Sequence, residues 1–168
     1  YAPSALELVA HATNTGIPEG CNAAAMVGRS KRHSIALQLF ARVNPETELV
    51  EQAGFRAHGC LAMIASGTAI AHMIEGTTLS MALSVSLDDL RSVVGETPGD
   101  KAYTARYAIE AVKALEGDYR IRQGMGYQEL QARLRGCDRG SIDCIACENC
   151  SLRDIMTDLQ AQDIVKSA

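Results

Sequence analysis

Apolar and polar positions alternate over residues 34–43, where Ile35, Leu37, Leu39, Ala41 and Val43 share one face and Gln38 and Arg42 the other. A period of two over that length predicts a half-buried strand. Asn44, Pro45, Glu46 and Thr47 supply a turn, and residues 49–58 predict the return strand of an antiparallel hairpin. After Gly59-Cys60 the period becomes helical, and residues 61–75 predict a helix with Gly76 as its stop. Residues 4–12 predict a short helix opened by Pro3 and broken by the turn residues between Asn14 and Gly20. Shorter helices are predicted at 78–84 and 87–94, the second closed by Gly95. Asp100 is the candidate N-cap of a longer helix over 101–116, whose buried stripe is Ala105, Ala108, Ile109, Val112 and Leu115 and whose expected stop is Gly117.

This order of elements predicts an α+β fold, a small antiparallel sheet with helices packed on it. Two Phe and no Trp leave the core to Ala, Leu and Ile, so the layers must approach closely. A net charge of −4 argues against a nucleic-acid partner. No apolar run approaches the roughly 18–20 residues that membrane insertion requires. The composition changes near residue 120, where Arg120, Arg122, Arg133, Arg135 and Arg139 gather with Gly124, Gly126, Gly136 and Gly140. The predicted division is therefore a domain over 1–119 and a short helical, cysteine-rich module over 120–168. That module has a helix around 127–135 and a final helix over 152–164 capped by Ser151.

Four of the six cysteines fall within fourteen residues, as Cys137, Cys144, Cys147 and Cys150. Such crowding suits a metal or cluster better than a disulfide framework, and with it a reducing, cytoplasmic setting. The Cys-x6-Cys-x2-Cys-x2-Cys spacing lets one loop wind around a single centre, which points to an iron–sulfur cluster of [4Fe-4S] type, with zinc as the alternative. Arg135, Arg139 and Arg153 can offset the charge of a thiolate-bound centre, and the helix starting beside Cys150 turns its amides toward it. The chain lacks a phosphate-loop Lys-Ser/Thr, a Ser-His-Asp arrangement and a His-Glu-x-x-His motif, so no catalytic activity of its own is expected.

The segment Ala53-Gly54-Phe55-Arg56-Ala57-His58-Gly59-Cys60-Leu61-Ala62-Met63-Ile64-Ala65-Ser66-Gly67 resembles the signature of NifU/IscU-type iron–sulfur cluster scaffolds. There a Gly-Cys closes a strand and an Ile-Ala-Ser segment opens the helix. Glu19-Gly20-Cys21-Asn22-Ala23, Val43-Asn44-Pro45-Glu46-Thr47-Glu48, Ile74-Glu75-Gly76-Thr77-Thr78-Leu79 and Glu110-Ala111-Val112-Lys113-Ala114 are similar too, so the resemblance covers about residues 5–119. It implies a scaffold fold and a role in cluster assembly or delivery among protein partners that donate or accept clusters. Those scaffolds use three cysteines and an aspartate two residues after the first. Here Cys60 matches the central cysteine, Arg32 and Thr104 stand at the other two, and Ser34 stands at the aspartate. A guanidinium cannot ligate iron, and hydroxyls are poor ligands beside thiolate. Two further readings stay open: an electron-relay or structural subunit of a larger redox complex, and a zinc-stapled interaction module. Cys21 has no assigned role.

Overall fold

The computed structural model describes residues 1–28, 35–134 and 150–168. Its elements run α1 (Pro3–Ala10), β1 (Ala23–Gly28), β2 (Ala36–Val43), β3 (Val50–His58), α2 (Leu61–Ile74), α3 (Leu79–Ala82), α4 (Leu87–Val94), a 3-10 turn (Gly99–Lys101), α5 (Tyr103–Arg122), α6 (Tyr127–Arg133) and α7 (Ser151–Ser167). The three strands form one antiparallel sheet in the order β1-β2-β3. The fold is α+β as expected. β2 and β3 fall where the alternation put them, whereas β1 was not anticipated. Its Ala-Ala-Ala-Met-Val-Gly sequence has no polar member to make the period of two visible. In the sheet Ala23, Ala25 and Val27 are buried while Met26 is exposed.

α2 covers β3 and α5 covers β1 and β2 on one face of the sheet. Leu37, Leu39, Ala41 and Phe55 from the sheet meet Met63 and Ile70 of α2 and Ala108, Ala111 and Leu115 of α5 in one cluster. Gly67 permits the close approach of α2: a Cβ there would lie 2.5 Å from the Phe55 ring and 3.0 Å from Leu37. The same cluster continues through Leu130 of α6, Leu134, and Leu152 and Met156 of α7, so the C-terminal helices share the core of the sheet domain.

Both sheet edges have partners for part of their length. Along β3, Gly16 donates to the Phe55 carbonyl at 2.8 Å and Phe55 donates to the Asn14 carbonyl at 2.9 Å. Along β1, the amide of Ala24 donates to Asp118 Oδ2 at 2.8 Å and that of Met26 to Ser151 Oγ at 3.0 Å. These outward amides, which would otherwise template a foreign strand, are thereby occupied.

Three expectations about helix ends are corrected. Gly117 does not stop α5, which runs on to Arg122 and so crosses from residue 119 to 120 without a break. Asp100 is not its N-cap: that position is Ala102, with no side-chain cap, and Asp100 pairs with Lys101 at 3.0 Å. Ser151 lies inside α7 behind the N-cap Cys150, and its hydroxyl serves the Met26 amide instead. At Gly117, packed against Leu152, and at Ser151 a tertiary partner outweighs the local preference, which is worth about 1 kcal/mol, whereas Asp100 is taken up by the adjacent Lys101.

Candidate functional site

Gly59, at φ 138°, turns the chain out of β3 and places Cys60 at the N-cap of the 14-residue α2. The Cys60 carbonyl accepts from the amides of Met63 and Ile64 at 2.9 and 3.3 Å, while its half-buried side chain makes no capping bond. Lys101 lies within electrostatic reach of that thiol. Its ammonium is held above the ordinary lysine range chiefly by the hydrogen bond to Asp100 and that carboxylate's charge, with smaller contributions from Tyr103 and Cys60. The position is thus a helix N-terminus with the Asp100–Lys101 ion pair nearby.

Thr104 is 1% exposed at the start of α5. Its hydroxyl donates to the Lys101 carbonyl at 2.9 Å and accepts from Ser66 Oγ at 3.3 Å. Ser66 and Thr104 also line a cleft of about 600 Å³ bounded by Arg91 and Glu96. The hydroxyl at this position is therefore committed to joining α5 to α2. Arg32 and Ser34, the other two residues placed at this site by the sequence, lie outside the described residues. Among the described residues no three His, Cys, Asp or Glu side chains converge on one point.

Of the four clustered cysteines, Cys137, Cys144 and Cys147 lie outside the described residues. Cys150 is 7% exposed at the N-cap of α7. Arg153, one turn on, pairs with its neighbour Asp154 at 3.1 Å.

Composition alone did not single out the ionic group that joins these parts. Glu48, at φ 59° before β3, grips Arg120 with both carboxylate oxygens, Oε2 to Nη2 at 2.6 Å. Arg120 Nε donates to Glu116 Oε1 at 2.9 Å, and Arg133 Nε of α6 donates to the same oxygen. Arg133 Nη2 reaches Ser80 Oγ at 3.2 Å. Glu116 is fully buried, and its Oε2 has no hydrogen-bond partner among the described residues. The hydrogen bond from Arg120 holds the Glu48 carboxyl below the ordinary carboxylate range against a smaller opposing effect of burial. The Arg120 guanidinium is shifted upward, chiefly by Glu48. The i,i+4 spacing of Glu116 and Arg120 was the available signal in the sequence. Glu48 and Arg133 are distant in the chain and left none.

Comparison with known proteins places this arrangement. The model of the NifU-like N terminal domain matches residues 1–125. The chain is 33% identical over 120 residues to the nitrogen fixation protein NifU of Azotobacter chroococcum, covering 71% of this chain and 38% of that protein. It is 25% identical over 124 residues to the iron–sulfur cluster assembly scaffold protein IscU of Aquifex aeolicus, covering 74% of this chain and 78% of that one. The chain thus spans less than half the length of the Azotobacter relative. A crystal structure of the N-terminal part of a NifU-like protein from Brucella abortus shares the fold, with a TM-score of 0.54 over 73% of this chain and 95% of that chain at 15% identity. A helix-covered three-stranded sheet with Gly59-Cys60 at the strand-to-helix corner, matched by the family model over most of its length, makes this chain a member of the NifU-like N-terminal domain family.

Proposed function

We propose that the chain acts in iron–sulfur cluster assembly or delivery and holds its cluster, as cargo, on Cys137, Cys144, Cys147 and Cys150 rather than at Cys60. Family membership supports the process. The observation that carries the change of site is Thr104: its buried hydroxyl is spent on Ser66 and the Lys101 carbonyl, leaving Cys60 as the thiol of that corner. One thiolate and hydroxyls do not make a donor set for a cluster, whereas four thiolates at this spacing do. We read the cluster as [4Fe-4S], the partners as proteins that donate or accept clusters, the setting as the cytoplasm, and the chain as a carrier without turnover of its own. No helix among the described residues is long and apolar enough to cross a membrane.

Thr104 equally favours a second reading, in which the chain no longer assembles clusters and the tail centre relays electrons within a larger redox complex. Anaerobic purification with iron and sulfide analysis separates these from a zinc-stapled module: about four iron per chain is expected, and a colourless protein with zinc alone defeats both cluster readings. Cys60→Ala is expected to leave iron content unchanged, and Cys147→Ser to abolish it. Cluster transfer to an apo-acceptor then distinguishes delivery from relay, since a relay centre is retained.

A further inference from the structure

Successive residues of an antiparallel strand turn their backbone groups to opposite sides, so on an edge strand every second residue faces outward. In β3 these residues are Ala53, Phe55 and Ala57, which stand opposite Ala41, Leu39 and Leu37 of β2. The first two are satisfied. Ala53 donates to Glu75 Oε2 at 2.9 Å and accepts from Asn14 Nδ2 at 3.0 Å. Phe55 donates to the Asn14 carbonyl and accepts from the Gly16 amide, which pairs Thr15 with it in parallel. At Gly16, φ 99°, the chain leaves the edge, and its carbonyl passes over Gly54, where a Cβ would run into it. Ala57 is therefore left with neither an acceptor for its amide nor a donor for its carbonyl among the described residues.

A groove of about 430 Å³ opens at this point, lined by Thr15, Gly16, Phe55, Arg56, Ala57 and Ile64. Its two sides differ in chemistry. Phe55, Ala57 and Ile64 of α2 belong to the apolar cluster and wall the groove on the helix side. Arg56, the residue between Phe55 and Ala57, stands on the opposite face of the strand. Its exposed guanidinium lies 5.9 Å from the centre of the Phe40 ring and has no carboxylate partner among the described residues.

We propose that this end of β3 is a strand-addition site for an extended segment of a partner protein that alternates acidic and apolar side chains. The added backbone accepts from the Ala57 amide and donates to the Ala57 carbonyl, taking up the ladder where Gly16 leaves it. Its apolar side chains enter the groove against Phe55 and Ile64, and its carboxylates fall on the face where Arg56 stands unpaired. An extended segment is selected because a helix spends its backbone groups on itself. Charge selects an acidic one. Two backbone hydrogen bonds and an ion pair make a small contact, of the kind that transient encounters use. His58, Gly59 and Cys60 follow at once, so a segment docked at Ala57 brings its parent protein to the Gly59-Cys60 corner. The site does not depend on where the chain holds a cluster.

The probe is the synthetic peptide acetyl-Glu-Val-Glu-Val-Glu-amide, titrated into the isotope-labelled full chain and followed by its amide chemical shifts. Shifts are expected at Ala57, at its neighbours in β3 and at Ile64. The same peptide with Lys in place of each Glu is expected to bind about tenfold more weakly, since attraction to Arg56 becomes repulsion. Ala57→Pro removes the outward donor and leaves the ladder to β2 intact, because proline is tolerated on the free side of an edge strand. It is expected to weaken the Glu peptide about tenfold, the loss of one backbone hydrogen bond. Arg56→Glu is expected to reverse the preference in favour of the Lys peptide, and this variant decides the matter if circular dichroism shows Ala57→Pro unfolded.

No shift at millimolar peptide, or shifts confined to other elements, overturns the proposal. Equal binding of the two peptides, or a preference that Arg56→Glu leaves unchanged, overturns the acidic partner and with it the site. Sedimentation of the full chain alone tests for a second copy on this edge. A dimer that Ala57→Pro dissociates assigns the edge to self-pairing and overturns the partner; a monomer throughout, with the expected shifts, upholds it.

Discussion

Glu116 accepts two guanidinium groups on one buried oxygen, and the consequences of that economy are local and measurable. Its removal leaves Arg133 without its buried partner and Arg120 with Glu48 alone. Breaking a buried pair from one side typically costs about 3–5 kcal/mol, so Glu116→Ala is expected to lower the urea midpoint strongly with little change in slope. Glu48 gives a pH-dependent version of the same interaction. Arg120 holds its carboxyl below the ordinary value of 4.5, so the folded state binds this proton less readily than the unfolded chain does. The pair's contribution is therefore present in full above that ordinary value and is lost as pH falls through the lowered one. The stability difference between the wild type and Glu48→Gln, measured by denaturant at pH 7 and pH 3, is expected to be larger at pH 7. Side-chain exposure of Glu48 near one third keeps the effect modest.

At the scale of elements, the tightest constraint is the layer of α2 on β3. Gly67→Ala pushes a methyl into the Phe55 ring, and overpacking of that kind costs about 1–3 kcal/mol. The thermal midpoint should fall by several degrees with the helical signal preserved. Legibility followed the same division between local and distant causes. β2, β3 and α2 were readable because a period of two or a helical period, bounded by turn residues, is itself the physical reason they form. β1 was not, because alanine on both faces carries no contrast, and only pairing with β2 tells Ala23 and Ala25 from Ala24. Gly117 was misread because a glycine that ends a helix and one that admits a neighbour look alike until the neighbour is known. At the candidate site, Cys60 was legible in its Gly-Cys corner, while the commitment of Thr104 to Ser66 depends on a contact 38 residues away.

At the scale of the whole molecule, the C-terminal helices are part of the sheet domain's core rather than an appendage. Leu152 and Met156 are 1% and 5% exposed, and each such side chain contributes about 1.5–3 kcal/mol on burial. Replacing both by Ala is expected to destabilise the folded domain, which then unfolds in a single transition seen alike in the helical signal and in tyrosine fluorescence. Two separate transitions would show instead that the tail melts on its own.

The partial closure of the β1 edge has a consequence in time. The Met26 amide waits for Ser151, 125 residues further along the chain. At a ribosome speed of about 5–20 residues per second, that interval is roughly 6–25 s, during which the nascent strand presents an open amide with no partner of its own yet made. Until the last helix emerges, the growing polypeptide carries a sheet margin that neighbouring nascent chains on the same message can capture. Slower translation between the codons for Val27 and Ser151 should therefore lower the yield of correctly folded chain.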